Sequence, residues 1–133
     1  MARYVACRLH LRRAMAHYST SLRERSLDLA VAVLRLAPRL AQAHSYSQNA
    51  VGQVVRSSGA IGAALEEAAV ALSRRDMAHK QAIALREARE THHWLTFLKK
   101  ADILPEEIAP LLREANEIVA MLTVSVRKLR NQV

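Results

Sequence analysis

Residues 51–72 place apolar or small side chains at alternating steps of three and four, and no proline interrupts them. The residues at these steps are Val51, Val54, Ser58, Ile61, Leu65, Ala68 and Leu72. This spacing is typical of a helix whose axis runs nearly parallel to those of its neighbours. Gly59 and Gly62 each cost about 1 kcal/mol relative to alanine in a helix interior. We therefore expect another backbone to approach this helix closely, because no side chain projects at the two glycines.

Composition favours helices along the rest of the chain. Three glycines and three prolines in 133 residues leave little material for turns, so we expect long helices and no strands. The single Cys7 permits neither an intramolecular disulfide nor a cysteine-based zinc site. No apolar run approaches the roughly 20 residues of a membrane span. We expect a cytoplasmic protein with no membrane partner.

Residues 1–18 differ from the rest because they are basic and contain no acid; the first acid is Glu24. Such a segment resembles a transit peptide, but nothing in it resembles a cleavage site. We interpret it as a basic N-terminal extension or arm, or as residues added by an upstream start codon. A four-helix domain is then predicted over 19–133.

The first two helices are predicted at about 20–44 and 47–72. Pro38 lies inside the first, where it removes one hydrogen bond, so we expect a kink or an early end there. Ser45 and Gln48 have the spacing of a capping box for the second helix, and Ser47 is a competing cap.

The next two helices have clear start signals. Ser73 with Asp76 predicts a start for the third helix, which should extend to about Lys100. Pro105 followed by two acids predicts the start of the fourth, and Pro110 is close enough to that start to reset it. Short connections between long helices predict an all-α, antiparallel up-down-up-down four-helix bundle.

The charge balance favours a polyanionic partner. Twenty arginines and lysines against twelve acids give a net charge of +8, and sixteen of the twenty are arginine. Arginine binds phosphate through a planar, bidentate fork, so RNA or DNA is a predicted partner. An incidentally basic, solvated surface is the alternative.

In an up-down bundle, the starts of helices one and three share one pole with the ends of helices two and four. The basic residues there form the predicted nucleic-acid contacts: Arg23, Arg25, Arg74, Arg75, Arg127, Lys128 and Arg130. Lys99 and Lys100 are expected at the opposite pole. Such residues contact phosphates without reading sequence, although they also simply solvate helix ends in many proteins.

One arrangement has the spacing of a catalytic motif. Glu90 and His93 form Glu-x-x-His, which is half of a di-iron carboxylate site in helical bundles. No second Glu-x-x-His is present to complete such a site. We therefore predict no metal, no cofactor and no enzymatic activity.

Glu87 and Glu90 lie three residues apart and therefore on one helix face. We expect them to pair with arginines such as Arg56, or to bond to serines across a helix contact. The predicted helix-packing or oligomer interface consists of Arg56, Ser57, Ser58, Gly59, Gly62, Ala63, Glu87, Glu90 and Trp94. Extra apolar stripes on helices three and four favour self-association, and a broad buried face within one bundle is the alternative.

Residues 53–68 and 73–95 together closely resemble a bacterial family of four-helix-bundle proteins. That family was first noted as reading frames in the intervening sequences of 23S ribosomal RNA genes. The resemblance spans about 20–131 and rests on Gln53, Arg56, Ser57, Ile61, Gly62, Ala63, Glu67, Ala68, Lys80, Ala84, Leu85, Glu87, Ala88, Glu90, Thr91 and Trp94. Ala64 stands where the family usually has asparagine, and Glu66 where it often has arginine.

The resemblance implies a protomer that assembles into a homopentameric ring, and it implies no reaction. A related branch consists of accessory variability proteins of diversity-generating retroelements, which bind a reverse transcriptase and nucleic acid. We therefore predict a non-enzymatic, oligomeric scaffold that binds nucleic acid or a nucleoprotein, with a reverse transcriptase as a specific partner. The alternative is a protein-interaction module that binds no nucleic acid.

Overall fold

The structure, a computed structural model, describes residues 21–132. Four helices fill this part of the chain: α1 (Leu22–Ala43), α2 (Ser47–Ala69), α3 (Arg74–Lys100) and α4 (Pro105–Asn131). The described residues contain no strand. The protein is therefore an all-α helical bundle, and the predicted arm at residues 1–18 lies outside the described residues.

Local signals set three of the four helix starts. The Ser21 hydroxyl accepts a hydrogen bond from the Glu24 backbone N–H at 3.3 Å, and the Ser73 hydroxyl accepts one from the Asp76 N–H at 3.1 Å. Each serine thereby satisfies a backbone donor that the first helical turn leaves unpaired. Pro105 is the first residue of α4, as predicted, because its missing N–H costs nothing at that position.

The start of α2 differs from the prediction. Tyr46 is the residue before the helix and makes no side-chain cap, so neither Ser45 nor Ser47 caps α2. The Ser47 hydroxyl instead donates to carbonyls at the end of α1, 2.7 Å from the oxygens of both Leu40 and His44. Ser47 is already the first residue of α2, so it is past the cap position, and its hydroxyl proton satisfies carbonyls at the end of α1.

The two internal prolines end no helix. Pro38 is exposed, and α1 continues past it to Ala43, so the expected early end is wrong. On the exposed side of a helix, water can take the place of the missing N–H donor. Pro110 likewise lies within an unbroken α4. Helix α2 ends at Ala69, three residues before the predicted position.

Adjacent helices in the sequence are packed neighbours: α1 packs on α2, α2 on α3 and α3 on α4, with a smaller contact between α1 and α4. The largest fully buried aliphatic side chains are Val33, Leu40, Val54, Ile61, Leu95, Leu98, Ile108, Leu111, Ile118 and Leu122. Every helix contributes to this core, and Val54 and Ile61 lie on the seam predicted for α2. None of the four helices is long and apolar enough to cross a membrane.

Side-chain contacts show which helix ends meet. Arg23 in the first turn of α1 contacts Glu66 in the last turn of α2. Arg74 at the start of α3 donates to Gln132, just after α4. These contacts place the start of α1 beside the end of α2, and the start of α3 beside the end of α4.

Candidate nucleic-acid interface

Arg23 at the start of α1 is engaged by a carboxylate. Its guanidinium meets Glu66 through two parallel hydrogen bonds, from Nε at 2.9 Å and from Nη2 at 2.6 Å. The hydrogen bond from Arg23 lowers the pKa of Glu66. Arg23 must therefore leave a bidentate carboxylate before it can bind a phosphate in the same way.

Arg25 is held still more firmly, between α1 and α4. Its Nε and Nη2 donate to Glu114 at 2.7 and 3.0 Å, and Nη2 also contacts Glu117. Hydrogen bonding to Glu114, the largest cause, raises the pKa of Arg25 despite its partial burial. Arg25 therefore links two helices, and its role as a phosphate contact stays a prediction, as does that of Arg23.

The remaining five predicted contacts are exposed and lie where α3 begins and α4 ends: Arg74, Arg75, Arg127, Lys128 and Arg130. We call this set the basic pole. Arg75 and Arg130 line one surface depression, together with His79. Arg74 is 2.5 Å from the Gln132 side-chain oxygen, a neutral partner that leaves its charge uncompensated. Lys99 and Lys100 lie in the last turn of α3, 25 residues or more from Arg74 along the same helix.

Arg56, Glu87 and Glu90 form a cluster between α2 and α3. Arg56 contacts Glu87 at 3.2 Å and Glu90 at 2.5 Å, which confirms the predicted arginine–glutamate pairing. The hydrogen bond from Arg56 is the main cause that lowers the pKa of Glu90, with smaller contributions from Trp94 and Arg86. The cluster joins the two helices that carry most of the family-like residues.

A buried hydroxyl pair lies next to this cluster. Thr91 of α3 lies 2.9 Å from the Ser57 hydroxyl of α2 and also 2.9 Å from the Glu87 carbonyl. Ser57 and Thr91 are fully buried, and Ser58 bonds to the Val55 carbonyl within its own helix at 3.2 Å. Thr91 was not among the predicted interface residues. Its position four residues before the buried Leu95, on the same helix face, is the sequence signal that could have identified it.

The small residues of α2 occupy a different place from the one expected. Gly59, Gly62 and Ala63 line an open groove between α1 and α2, opposite Leu27 and Ala30. A Cβ added at Gly59 or Gly62 would meet no atom within 4 Å. The expected close approach of a backbone is therefore wrong within the chain, because the glycines face the groove and the larger seam residues face the core. Contact with another copy at these residues stays a prediction.

Both residues of the Glu-x-x-His arrangement contact other side chains. Glu90 pairs with Arg56, and the His93 ring meets the Trp94 ring edge-on, with centroids 5.0 Å apart. Within residues 21–132, no three His, Cys, Asp or Glu side chains lie close enough to hold a metal ion.

Comparison with known proteins then decides the family. Residues 20–124 match the family described as 23S rRNA-intervening sequence protein. The chain belongs to the 23S rRNA-intervening sequence protein family. A similar solved structure is a protein of unknown function from the S23 ribosomal protein family of Bacteroides thetaiotaomicron VPI-5482, with 32% identity and a TM-score of 0.72. The similarity covers 80% of this chain and 98% of that one. No curated protein matches the chain.

Two positions where this member of the 23S rRNA-intervening sequence protein family departs from the family pattern now have a structural context. Ala64 is 6% exposed and belongs to the apolar core, so it offers no polar contact where the family usually has asparagine. Glu66, where the family often has arginine, binds Arg23. This chain therefore makes an ion pair between α1 and α2 that an arginine at position 66 would not permit.

Proposed function

We propose that this protein is a non-enzymatic, oligomeric scaffold that binds nucleic acid or a nucleoprotein through its basic surfaces. The protomer is an antiparallel up-down-up-down bundle, which the contacts of Arg23 with Glu66 and of Arg74 with Gln132 support. The resemblance described above supports a ring of five copies. With +8 on each chain, such a ring carries a charge of about +40, which attracts polyanions strongly.

The observation that carries the proposal is the positive charge left over after internal pairing. Within residues 21–132, five arginines and lysines form ion pairs with seven of the twelve acids. Eleven other arginines and lysines of the same range take no part in these ion pairs, and all are exposed. The basic pole is the densest group among them. An excess of exposed, uncompensated cations favours phosphate contact over internal stabilisation.

A matched pair of variants tests this role of the basic pole. Arg127→Glu with Lys128→Glu reverses two charges there, and Arg35→Glu with Lys99→Glu makes the same change in net charge elsewhere. The proposal predicts that the pole variant loses RNA affinity in fluorescence anisotropy while the control loses much less. Equal losses would mean that only net charge matters, and no RNA binding by the unaltered protein would contradict the proposal.

The specific form of this function is an accessory role beside a reverse transcriptase. Copurification of a reverse transcriptase encoded by a neighbouring gene tests it. If the pole variant captures the partner as well as the unaltered protein does, and neither binds RNA, the protein is an interaction module whose charge is incidental.

A further inference from the structure

The outward side of α3 carries several exposed basic and aromatic residues. Arg75, Arg86, Arg89, His93, Phe97 and Lys100 are all exposed and follow one another at helical spacing along one side of the helix. We call this set the α3 outer face. It runs about 38 Å along the axis, at the rise of an α-helix.

Few acids lie beside the α3 outer face, and Asp102, two residues after Lys100, is exposed. The acids of α3 are Asp76, Glu87 and Glu90. Arg56 of α2 engages both glutamates on the side of α3 that packs against α2. Asp76 lies in the first turn of the helix, one residue after Arg75 and only partly exposed. Arg56 thus engages two of the three carboxylates of α3, and Glu90, one turn after Arg86, also interacts with the charge of Arg86.

The α3 outer face also presents an aromatic ring. Phe97 is 51% exposed, and its ring meets Trp94 edge-on with centroids 5.5 Å apart. Trp94 is partly buried and packs against the core, and its ring supports the ring of Phe97 on the side toward the core. Since Phe97 rests on a neighbouring ring rather than in the core, much of its surface is open to a flat partner.

We propose that the α3 outer face binds single-stranded nucleic acid, with phosphates on the arginines and Lys100 and an unpaired base stacked on Phe97. This inference rests on the proposed function. Basic residues interleaved with an exposed aromatic ring are the combination that holds single strands, because every base offers a ring face for stacking. A duplex hides its base faces, so it can use the cations of this face but not Phe97.

The α3 outer face and the basic pole are continuous. Arg75 belongs to both, and it shares the depression with Arg130 of α4. A strand that lies along α3 from Lys100 to Arg75 therefore ends at the basic pole. This places the base-stacking residue near one end of α3 and the densest phosphate contacts near the other.

Substitutions at Phe97 separate stacking from charge and from simple hydrophobicity. We expect Phe97→Ala and Phe97→Leu each to weaken binding of a labelled oligouridylate of about 20 nucleotides by about tenfold. Phe97→Trp should bind as well as the unaltered protein. Leu34→Ala removes a side chain that is 60% exposed on α1, and this matched control should not change the affinity. Circular dichroism verifies that each variant is folded.

A charge substitution tests the cations of the same face. Arg89→Gln should lower the slope of log affinity against log salt by about 0.7, the value for one phosphate contact on a single strand. Arg35→Gln, an exposed arginine of α1, should leave the slope unchanged.

The outcomes separate the two proposals. If the unaltered protein binds the oligouridylate but Phe97→Ala and Phe97→Leu bind equally well, the α3 outer face is not the binding surface and the proposed function stands. If both Phe97 variants also lose affinity for duplex RNA to the same degree, base stacking is contradicted. If the unaltered protein binds no nucleic acid at low salt, the proposed function fails, and the inference fails with it.

Discussion

Thr91 and Ser57 form a fully buried hydroxyl pair between α3 and α2, with their oxygens 2.9 Å apart. Each also has a backbone carbonyl within its own helix: Glu87 at 2.9 Å for Thr91 and Val54 at 3.4 Å for Ser57. The pair is therefore a buried polar link between α2 and α3, beside the more exposed ion pairs of Arg56. The bond between the two hydroxyls forms only when the residues face each other, so it helps to define the register of α2 against α3.

Removing both hydroxyls should lower the stability by about as much as removing one of them. We expect Thr91→Val and Ser57→Ala each to lower the free energy of unfolding by about 1 kcal/mol. The double variant should lose little more than either single variant, since both remove the same bond. Urea denaturation of the four proteins measures this coupling, and fully additive losses would show that the pair contributes no shared interaction.

The cluster around Arg56 should make stability depend on pH. The pKa of Glu90 is lowered from its usual value of 4.5, so its ionised form stabilises the fold above about that pH and this contribution is lost as pH falls through the lowered pKa. Arg56→Gln should therefore lower the free energy of unfolding at neutral pH and lower it less in acid. Denaturation across this pH range measures the difference. A loss that is the same at every pH would contradict this role of the carboxylates.

Arg25 should matter more than an ordinary surface arginine. It links α1 to α4, where the helix contact is smallest, and the side chains of Arg25 and Glu114 are only 25% and 15% exposed. We expect Arg25→Gln to lower the free energy of unfolding by about 2 kcal/mol, because Glu114 is left partly buried without its partner. The control Arg35→Gln should change it by about 0.5 kcal/mol or less. Equal effects of the two substitutions in thermal unfolding would refute the link.

The glycines of α2 allow a test of self-association. Since an added Cβ at Gly59 or Gly62 meets nothing within 4 Å, Gly→Ala at both should stabilise an isolated chain by about 1 kcal/mol each. If a second copy packs closely there, the same variant should instead weaken the oligomer. Light scattering with thermal unfolding distinguishes the two results, and Gly52→Ala, also in open space, is the matched control. If the double variant Gly59→Ala with Gly62→Ala forms an oligomer of the same size and stability, these two residues do not lie in the interface.

Local sequence signals predicted the helices well because the interactions that set them are local. The Ser73 hydroxyl caps a donor three residues away, and Pro105 needs no partner at all. Ser47 was misinterpreted because its hydroxyl had carbonyls of the preceding helix within reach, and only the path of the turn between α1 and α2 decides that contact.

The candidate site was harder to predict because its ion pairs join distant parts of the chain. Arg23 meets a glutamate 43 residues away and Arg25 one 89 residues away, so their basic character in the sequence did not reveal that both are engaged. The Arg56 cluster was predictable because both glutamates share a helix face and an arginine lies on the neighbouring helix. The groove position of Gly59 and Gly62 depends on how α1 and α2 are rotated about their axes, which the spacing of small residues leaves open.

The salt dependence of RNA binding by the unaltered protein tests the central claim most directly. Affinity for a labelled single-stranded RNA is measured at a series of salt concentrations. We predict clear binding at low salt that weakens steeply as salt rises, with a slope of about 0.7 for each phosphate that the protein contacts. Binding that is absent at low salt, or that does not change with salt, would contradict the account.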